Sequence, residues 1–154
     1  MKARGDSNAA ARRKRWPRFA LVVALLVCGA LQLVPARRTN PPVGAQLVAP
    51  PEVEVLLRRA CYDCHSHETR WPWYSYVAPV SWWTVRHVQR GRADLNFSQW
   101  PVLDRESQSW ALADIEKQLV DRSMPLRSYT WMHAGARLDE AERTLLVRWS
   151  REQR

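Results

Sequence analysis

The chain has 154 residues, of which 46% are hydrophobic and 25% are charged, and its formal net charge is +9. The length suits one compact domain, and the composition is that of a folded protein, which excludes a wholly disordered chain. A charge of +9 would indicate a nucleic acid-binding protein if it were spread over the folded part of the chain.

The positive charge is concentrated at the N-terminus. Residues 1–18 carry seven Lys and Arg side chains against one acid, Asp6, and therefore hold +6 of the total of +9. The rest of the chain contains 17 basic and 14 acidic side chains, a net charge of only +3. We therefore interpret residues 1–18 as a cytoplasmic basic tail and expect no nucleic acid partner.

An uncharged apolar run follows the basic tail. Residues 19–34 read FALVVALLVCGALQLV, and a helix of that length spans about 24 Å, against a hydrocarbon core of about 30 Å. Because the basic flank agrees with the positive-inside rule, the sequence predicts a transmembrane signal-anchor over residues 19–36 in the inner membrane. The following residues are then periplasmic. A cleaved secretory signal and a buried core helix are the alternatives.

Residues 37–51 are predicted to form an extended linker, because positions 39–51 hold four of the ten prolines and no charge. The folded domain then covers residues 52–154. Helical periodicity or capping signals mark four segments: 51–60, 79–90, 105–121 and 139–149.

The ends of two of these helices have specific signals. Gly91 is expected to end the second helix. Asp139 followed by Glu142 predicts a capping box at the start of the last one, and the third helix is capped by Asp104 or Ser107. Since no long segment alternates with period two, the predicted fold class is all-α, with about four helices behind the N-terminal helix.

Residues 61–65 carry the main chemical signal. They read Cys61-Tyr62-Asp63-Cys64-His65, the C-x-x-C-H pattern of c-type haem attachment. Cysteines three apart on a helical turn present both thiols on one side, where they can bond to the two vinyl groups of one porphyrin. The adjacent His65 can then bind the iron. The sequence therefore predicts one covalently attached haem c per chain, with His65 as the proximal ligand.

Three other kinds of site could use the same residues. Cys61 and Cys64 could form a structural disulfide, which an oxidising compartment favours. A thioredoxin-like redox pair needs a βαβ context, and the sequence shows no strands. A zinc site could recruit both cysteines with His65 and His67, but adjacent ligands at 64 and 65 fit a tetrahedron poorly. Cys28, in the apolar run, is interpreted as an inert hydrophobic side chain.

The second axial ligand of the iron is predicted to be Met124, in a loop before the last helix. A thioether is a soft ligand that favours ferrous iron and raises the reduction potential, whereas the alternative is that Met124 fills a gap in the core. Met132 and His133 are further candidates, and His133 would give iron bound by two histidines. His87 is interpreted as an ordinary helix position, and His67 as too close to the attachment turn to reach the opposite face.

The chain contains nine tryptophans, several of them between positions 71 and 83. Their rings can form the walls of a porphyrin cavity or can simply supply core volume. Four arginines could pair with haem propionates or could form a solvated face: Arg70, Arg86, Arg90 and Arg92.

Residues 61–82, which read CYDCHSHETRWPWYSYVAPVSW, are the most distinctive stretch of the chain. Together with the motifs NFSQW at 96–100 and MPL at 124–126, they resemble the bacterial haem-binding domain family of membrane-anchored, single-haem proteins. The resemblance covers about residues 40–149. It implies a cytochrome c-like all-α fold in which Cys61 and Cys64 bind haem covalently, His65 ligates the iron and the Met124 loop closes the other side.

Two residues depart from the usual pattern of that family: His67 stands where Asn is more common, and Ala134 where Pro is more common. Neither takes part in attachment. The expected function is that of a membrane-anchored periplasmic cytochrome that transfers single electrons to or from a membrane-associated redox protein. Because no general base, nucleophile or phosphate loop is evident, an electron carrier is expected rather than an enzyme. The alternatives are a haem-based gas or redox sensor, and a peroxidase-like protein that uses His133 or Glu68.

Overall fold

The computed structural model describes residues 6–154, with side chains from residue 16 onward. Apart from an isolated bridge between Ala45 and Gln99, the regular secondary structure of these residues is helical, so the all-α prediction is confirmed for them. Six α-helices follow α1 instead of the predicted four or so, because the short α3 and α6 show no helical periodicity of their own. The α-helices are α1 (Asp6–Gln32), α2 (Pro51–Ala60), α3 (Tyr62–His65), α4 (Val80–Asp94), α5 (Arg105–Val120), α6 (Arg127–Met132) and α7 (Glu140–Glu152). Short 3-10 helices cover Trp73–Tyr76, Trp100–Val102 and Ala134–Ala136.

The hydrophobic core lies between α2, α5 and α7, with α7 packed against both α2 and α5. Leu57 of α2, Leu146 of α7 and Phe97 in the segment before α5 are almost wholly buried. Four apolar residues lie on one face of α2 at spacings of three or four positions, and all are buried: Val53, Leu56, Leu57 and Ala60. Each large apolar side chain buried in this way contributes about 1.5–3 kcal/mol of transfer free energy.

The starts of two helices follow their sequence signals. The carboxylate of Asp139 accepts a hydrogen bond from the N–H of Glu142 at 2.8 Å, and that of Glu142 accepts one from the N–H of Asp139 at 3.0 Å. This is the predicted capping box of α7. Asp104, not Ser107, caps α5. Glu142 also pairs with Arg59 of α2 at 2.6 Å, which holds the pKa of Glu142 below its usual range.

Helix α4 continues past the residue that the sequence predicts as its end. Gly91 lies inside α4, which runs on to Asp94, so the prediction that Gly91 terminates this helix is wrong. Packing explains the glycine instead, because a Cβ at this position would lie 2.7 Å from the carbonyl oxygen of Cys64. Helix α4 therefore crosses α3 so closely that only glycine fits there without a shift.

Helix α1 stands away from the core, and every residue from 16 to 30 is exposed. The sequence predicts a membrane span over 19–36, but α1 ends at Gln32. In the part of the chain that the structure describes, no helix combines the length and apolar character needed to cross a membrane. The predicted helix is thus present, whereas the predicted span is unsupported. Most of the predicted basic tail, up to residue 15, lies outside the described side chains.

The linker over residues 37–51 is extended and lies against the domain. Leu47 belongs to the core, and its N–H donates to the carbonyl of Phe97 at 3.0 Å. The Asn40 side chain donates to the carbonyl of Thr69 at 2.9 Å. The linker therefore packs beside the residues that follow α3, and these are the residues that surround the candidate site.

Candidate functional site

The C-x-x-C-H motif forms one helical turn directly after α2. The N–H groups of Cys64 and His65 both donate to the carbonyl of Cys61, at 3.1 and 3.0 Å. This turn sets the two cysteines one helical turn apart, the spacing that attachment to one porphyrin requires. Both thiols are free and half-buried.

The surroundings of these cysteines keep their thiols protonated. Burial raises the pKa of Cys61 to about 12, with a further contribution from Cys64. Burial, followed by the nearby carboxylate of Asp63, raises the pKa of Cys64 to about 11, against a lowering by Arg92. A reactive redox pair needs a thiolate, so these surroundings disfavour such a pair. Among the described residues, no three His, Cys, Asp or Glu side chains cluster in a way that could hold a metal ion.

The imidazole of His65 is oriented by backbone carbonyls. Its Nδ1 atom lies 2.9 Å from the oxygen of Gly91 and 3.2 Å from that of Leu95, so Nδ1 carries a proton and donates it. Burial lowers the pKa of His65 and favours the neutral ring. A neutral ring with Nδ1–H on a carbonyl keeps the Nε2 lone pair available, as in histidines that bind metals.

Three adjoining cavities of about 380, 220 and 120 Å³ surround the motif. Cys64 lines the two larger ones, whereas Cys61, His65 and Met124 line the two smaller ones. The four predicted site residues are therefore brought to one set of cavities, although Met124 is distant from the motif in sequence. Volumes of about 300–1,000 Å³ are typical of sites for organic cofactors.

The loop that carries Met124 is fastened to α5 and α7. The N–H of Met124 donates to the carbonyl of Gln118 at 3.3 Å, and the carbonyl of Met124 accepts from the Arg143 guanidinium at 3.2 Å. Arg143 also donates to the carbonyl of Leu119 at 3.0 Å. These bonds hold the backbone of the loop beside the cavities that His65 lines.

The other candidate ligands occupy different positions. His67 is buried, with Nδ1 3.0 Å from the carbonyl of Pro42 and Nε2 2.9 Å from the amide of Asn96, so both ring nitrogens have structural partners. His133 stacks on Tyr129, with ring centroids 4.3 Å apart. Met132 lines the largest cavity.

His87, which the sequence presents as an ordinary helix position, lines the two larger cavities. Its Nδ1 lies 2.9 Å from the carbonyl of Trp83, and the two rings are 4.1 Å apart. The sequence contains a local signal for the contact between Trp83 and His87, because residues four apart in a helix lie on the same face. Whether that face borders a cavity depends on tertiary packing.

Asp63, inside the motif, makes contacts that the sequence did not predict. One carboxylate oxygen accepts a hydrogen bond from the phenol of Tyr129 in α6 at 2.6 Å, and the other accepts from the N–H of Arg70 at 2.9 Å. Burial, followed by the hydrogen bond to Asp63, raises the pKa of Tyr129 and keeps the phenol protonated. A single carboxylate thus connects the attachment turn to the loop after it and to α6.

The arginines and tryptophans divide between cavity walls and structural roles. Arg92 donates to the carbonyl of Ser66 at 2.7 Å and to that of Thr39 at 2.8 Å, so it ties the linker to the turn after the motif. Arg70 and Arg90 line cavities. Three tryptophans line the largest of the three cavities: Trp73, Trp83 and Trp131. Two others, Trp100 and Trp149, are buried in the core, as expected of rings that supply core volume.

Comparison with known proteins gives one match. A family model described as a haem-binding domain matches residues 26–152, which include every residue of the candidate site. No curated protein and no solved structure matches the chain.

Proposed function

The chain belongs to the haem-binding domain family, and from that premise we propose that it is a single-haem c-type cytochrome that carries electrons one at a time. The most direct support is the state of His65, whose Nδ1 donates to the carbonyl of Gly91 at 2.9 Å and so keeps Nε2 available to iron. The same ring lines cavities with Cys61 and Met124. A neutral imidazole, two thiols and a thioether around largely apolar cavities fit a haem.

Cys61 and Cys64 are proposed to attach the haem covalently. Each thiol adds across one vinyl group: the sulfur bonds to one carbon, the thiol hydrogen goes to the other, and no oxidant is consumed. Because burial keeps both thiols protonated at neutral pH, the hydrogen that each addition requires is present. One such pair in the domain supports one haem c per chain.

Met124 is proposed to be the second axial ligand, held in place by the bonds of its backbone to α5 and α7. His65 and Met124 would hold the iron of such a haem, which would supply one-electron chemistry at a comparatively high potential. If this chain supplied both ligands, no position on the iron would be open to a substrate. We therefore propose an electron carrier and not an enzyme.

We also propose that α1 attaches the domain to the inner membrane, with the domain in the periplasm. The support is that its apolar side chains are exposed all round, including Phe19 at 69% and Leu26 at 68%, and a helix of this kind needs an apolar partner. The basic residues before position 19 favour a cytoplasmic N-terminus. A membrane-associated redox protein is the proposed partner, because both reactants would then share one surface.

The attachment proposal is tested by denaturing the purified protein and measuring the haem that stays with the chain. Wild type is expected to retain about one haem per chain, whereas Cys61→Ser/Cys64→Ser should retain none. Cys28→Ser is the matched control, since that thiol is exposed on α1 away from the cavities, and it should retain the wild-type amount. Loss of haem from wild type on denaturation would refute covalent attachment while leaving non-covalent haem binding possible.

A gas sensor or a peroxidase-like protein differs from an electron carrier in having an open iron position. Carbon monoxide added to the ferrous protein separates the two classes. Wild type is expected to bind it slowly or incompletely, and Met124→Ala rapidly. Rapid binding by wild type would favour the sensor or peroxidase.

A further inference from the structure

The end of α1 is joined to the domain at one place, the segment over residues 75–82. The Gln32 side chain donates to the carbonyl of Ala78 at 3.2 Å and accepts from its N–H at 3.0 Å. The indole N–H of Trp82 donates to the carbonyl of Val34 at 3.1 Å. The residues directly after α1 therefore lie against the segment that leads into α4.

A further contact sets the chain after α1 against the same segment. The Arg38 guanidinium donates to the carbonyl of Ser75 at 2.9 Å and lies 4.1 Å from the centre of the Tyr76 ring. The path of the chain is thus held on both sides of residue 36. This joining places one particular face of the domain next to α1.

That face carries large apolar side chains that stay exposed, although the Arg38 guanidinium lies over one side of the Tyr76 ring. We call it the α1-side patch and define it by five residues: Leu33, Val34, Tyr76, Val77 and Val80. Leu33 is 83% exposed and Tyr76 58%, and the three valines are exposed as well. The patch adjoins the exposed apolar side chains of α1, because the residues at the end of α1 are bonded to the segment that carries it.

We propose that the α1-side patch lies in the interfacial layer of the lipid bilayer; this rests on the proposed membrane attachment by α1. Lipid is favoured over a protein partner because the patch adjoins the exposed apolar helix. Its composition also suits an interface, since a tyrosine combines an apolar ring with a polar hydroxyl. Arg37 is exposed next to it and can meet anionic headgroups.

The placement has a consequence for the haem cavities. Val80 belongs to the patch and also lines the largest cavity, beside Trp83 and Trp73. One wall of that cavity would then border the membrane surface. A redox partner embedded in the membrane could approach the cavity there without the domain having to turn.

Spin labels on the full-length haem protein, bound to vesicles of phosphatidylglycerol and phosphatidylethanolamine, test the proposal. Val77→Cys reports on the patch, and Val120→Cys, an exposed valine on α5, is the matched control; both are made with Cys28→Ser. The collision rates of each label with oxygen and with a water-soluble nickel chelate are measured. The ratio of the oxygen rate to the chelate rate should be severalfold higher for the label at position 77 than for the label at position 120. Tyr76→Cys repeats the measurement in case Val77→Cys fails to fold.

Each result has a defined meaning. Equal rates of collision with the chelate at positions 77 and 120 would overturn the proposal that the patch lies in lipid. Protection of position 77 from both oxygen and the chelate would also overturn it, because it would indicate a protein contact. Vesicle sedimentation reports separately on attachment by α1, and a chain that does not sediment overturns both proposals. The haem that each labelled chain retains after denaturation is measured on the same sample, so that a failure of covalent attachment is seen separately from the result for the patch.

Discussion

The phenol of Tyr129 donates a 2.6 Å hydrogen bond to the carboxylate of Asp63, and so links α6 to the centre of the attachment turn. The other oxygen of Asp63 accepts from the N–H of Arg70. The backbone carbonyl of Asp63 accepts from the hydroxyl of Thr69 at 2.8 Å. Asp63 occupies a position that the C-x-x-C-H motif leaves unspecified, and it joins the attachment turn to the loop that follows it and to α6.

Tyr129→Phe removes the phenolic hydroxyl and leaves one oxygen of the half-buried Asp63 carboxylate without its protein donor. We expect a loss of about 1–3 kcal/mol in the free energy of unfolding, measured by urea denaturation. Tyr76→Phe is the control, because that ring is exposed, and it should change stability by less than about 0.5 kcal/mol. Equal effects of the two substitutions would contradict the linking role.

Gly91→Ala would place a Cβ 2.7 Å from the carbonyl oxygen of Cys64 and 3.3 Å from its Cβ. Two backbones must then separate, and overpacking of this kind costs about 1–3 kcal/mol, although alanine favours a helix by up to about 1 kcal/mol. Since Gly91 also accepts the bond from His65, haem incorporation should fall too. Thermal unfolding and haem content measure both effects.

Gly135→Ala is the matched control for this substitution, because no neighbouring group lies within 4 Å of the position that a Cβ would take there. It should leave the unfolding temperature and the haem content close to wild type. A stable, fully loaded Gly91→Ala protein would show that the crossing of α3 and α4 tolerates a side chain.

Met124→Ala removes the proposed thioether ligand. We expect the ferric protein to lose its sulfur-to-iron charge-transfer band. We also expect the reduction potential to fall by on the order of 0.1 V, within the ~0.8 V range over which axial ligands tune haem. Met132→Ala serves as the control, since Met132 lines only the largest cavity. Loss of the band in Met132→Ala alone would assign the ligand to Met132.

Glu142→Gln tests the pH dependence of the α7 capping box. The pKa of Glu142 is lowered in the folded state, first by its hydrogen bond to Arg59, so ionised Glu142 stabilises the fold above its unfolded pKa of about 4.3. This contribution is lost as the pH falls through the lower folded pKa. The free energy of unfolding of the wild type should exceed that of the variant by up to about 1 kcal/mol at pH 7, and the difference should disappear as the pH falls below the folded pKa. If the difference in the free energy of unfolding did not change with pH, ionisation of the Glu142 carboxylate would not be its cause.

Local patterns predicted those parts of the fold that depend on neighbouring residues. The buried face of α2 and the capping box of α7 both follow from spacings of three or four positions. The family of the chain followed from the stretch 61–82. The attachment and ligand roles of Cys61, Cys64, His65 and Met124 stay predictions, although the structure brings these residues to common cavities.

The contacts that sequence reasoning missed join residues far apart in the chain. The sequence allows two structural roles for Gly91, because a glycine late in a helical pattern suits either a C-terminal cap or a close crossing of two helices. The close approach of the Cys64 backbone to Gly91 shows that the crossing is the role it has, and this contact joins residues far apart in the sequence. Asp63 and Tyr129 likewise show no local signal, because each is an ordinary residue in its own segment.

The linker has a consequence for where the domain can be cut. Arg92 donates to the carbonyl of Thr39 and the side chain of Asn40, and Leu47 sits in the core. A fragment that starts at Glu52 would open a hole in the core where Leu47 lies and would lose two hydrogen bonds of Arg92, although it would keep every helix from α3 onward. The smallest autonomous piece of this protein therefore begins ahead of Thr39, in a stretch with no regular secondary structure.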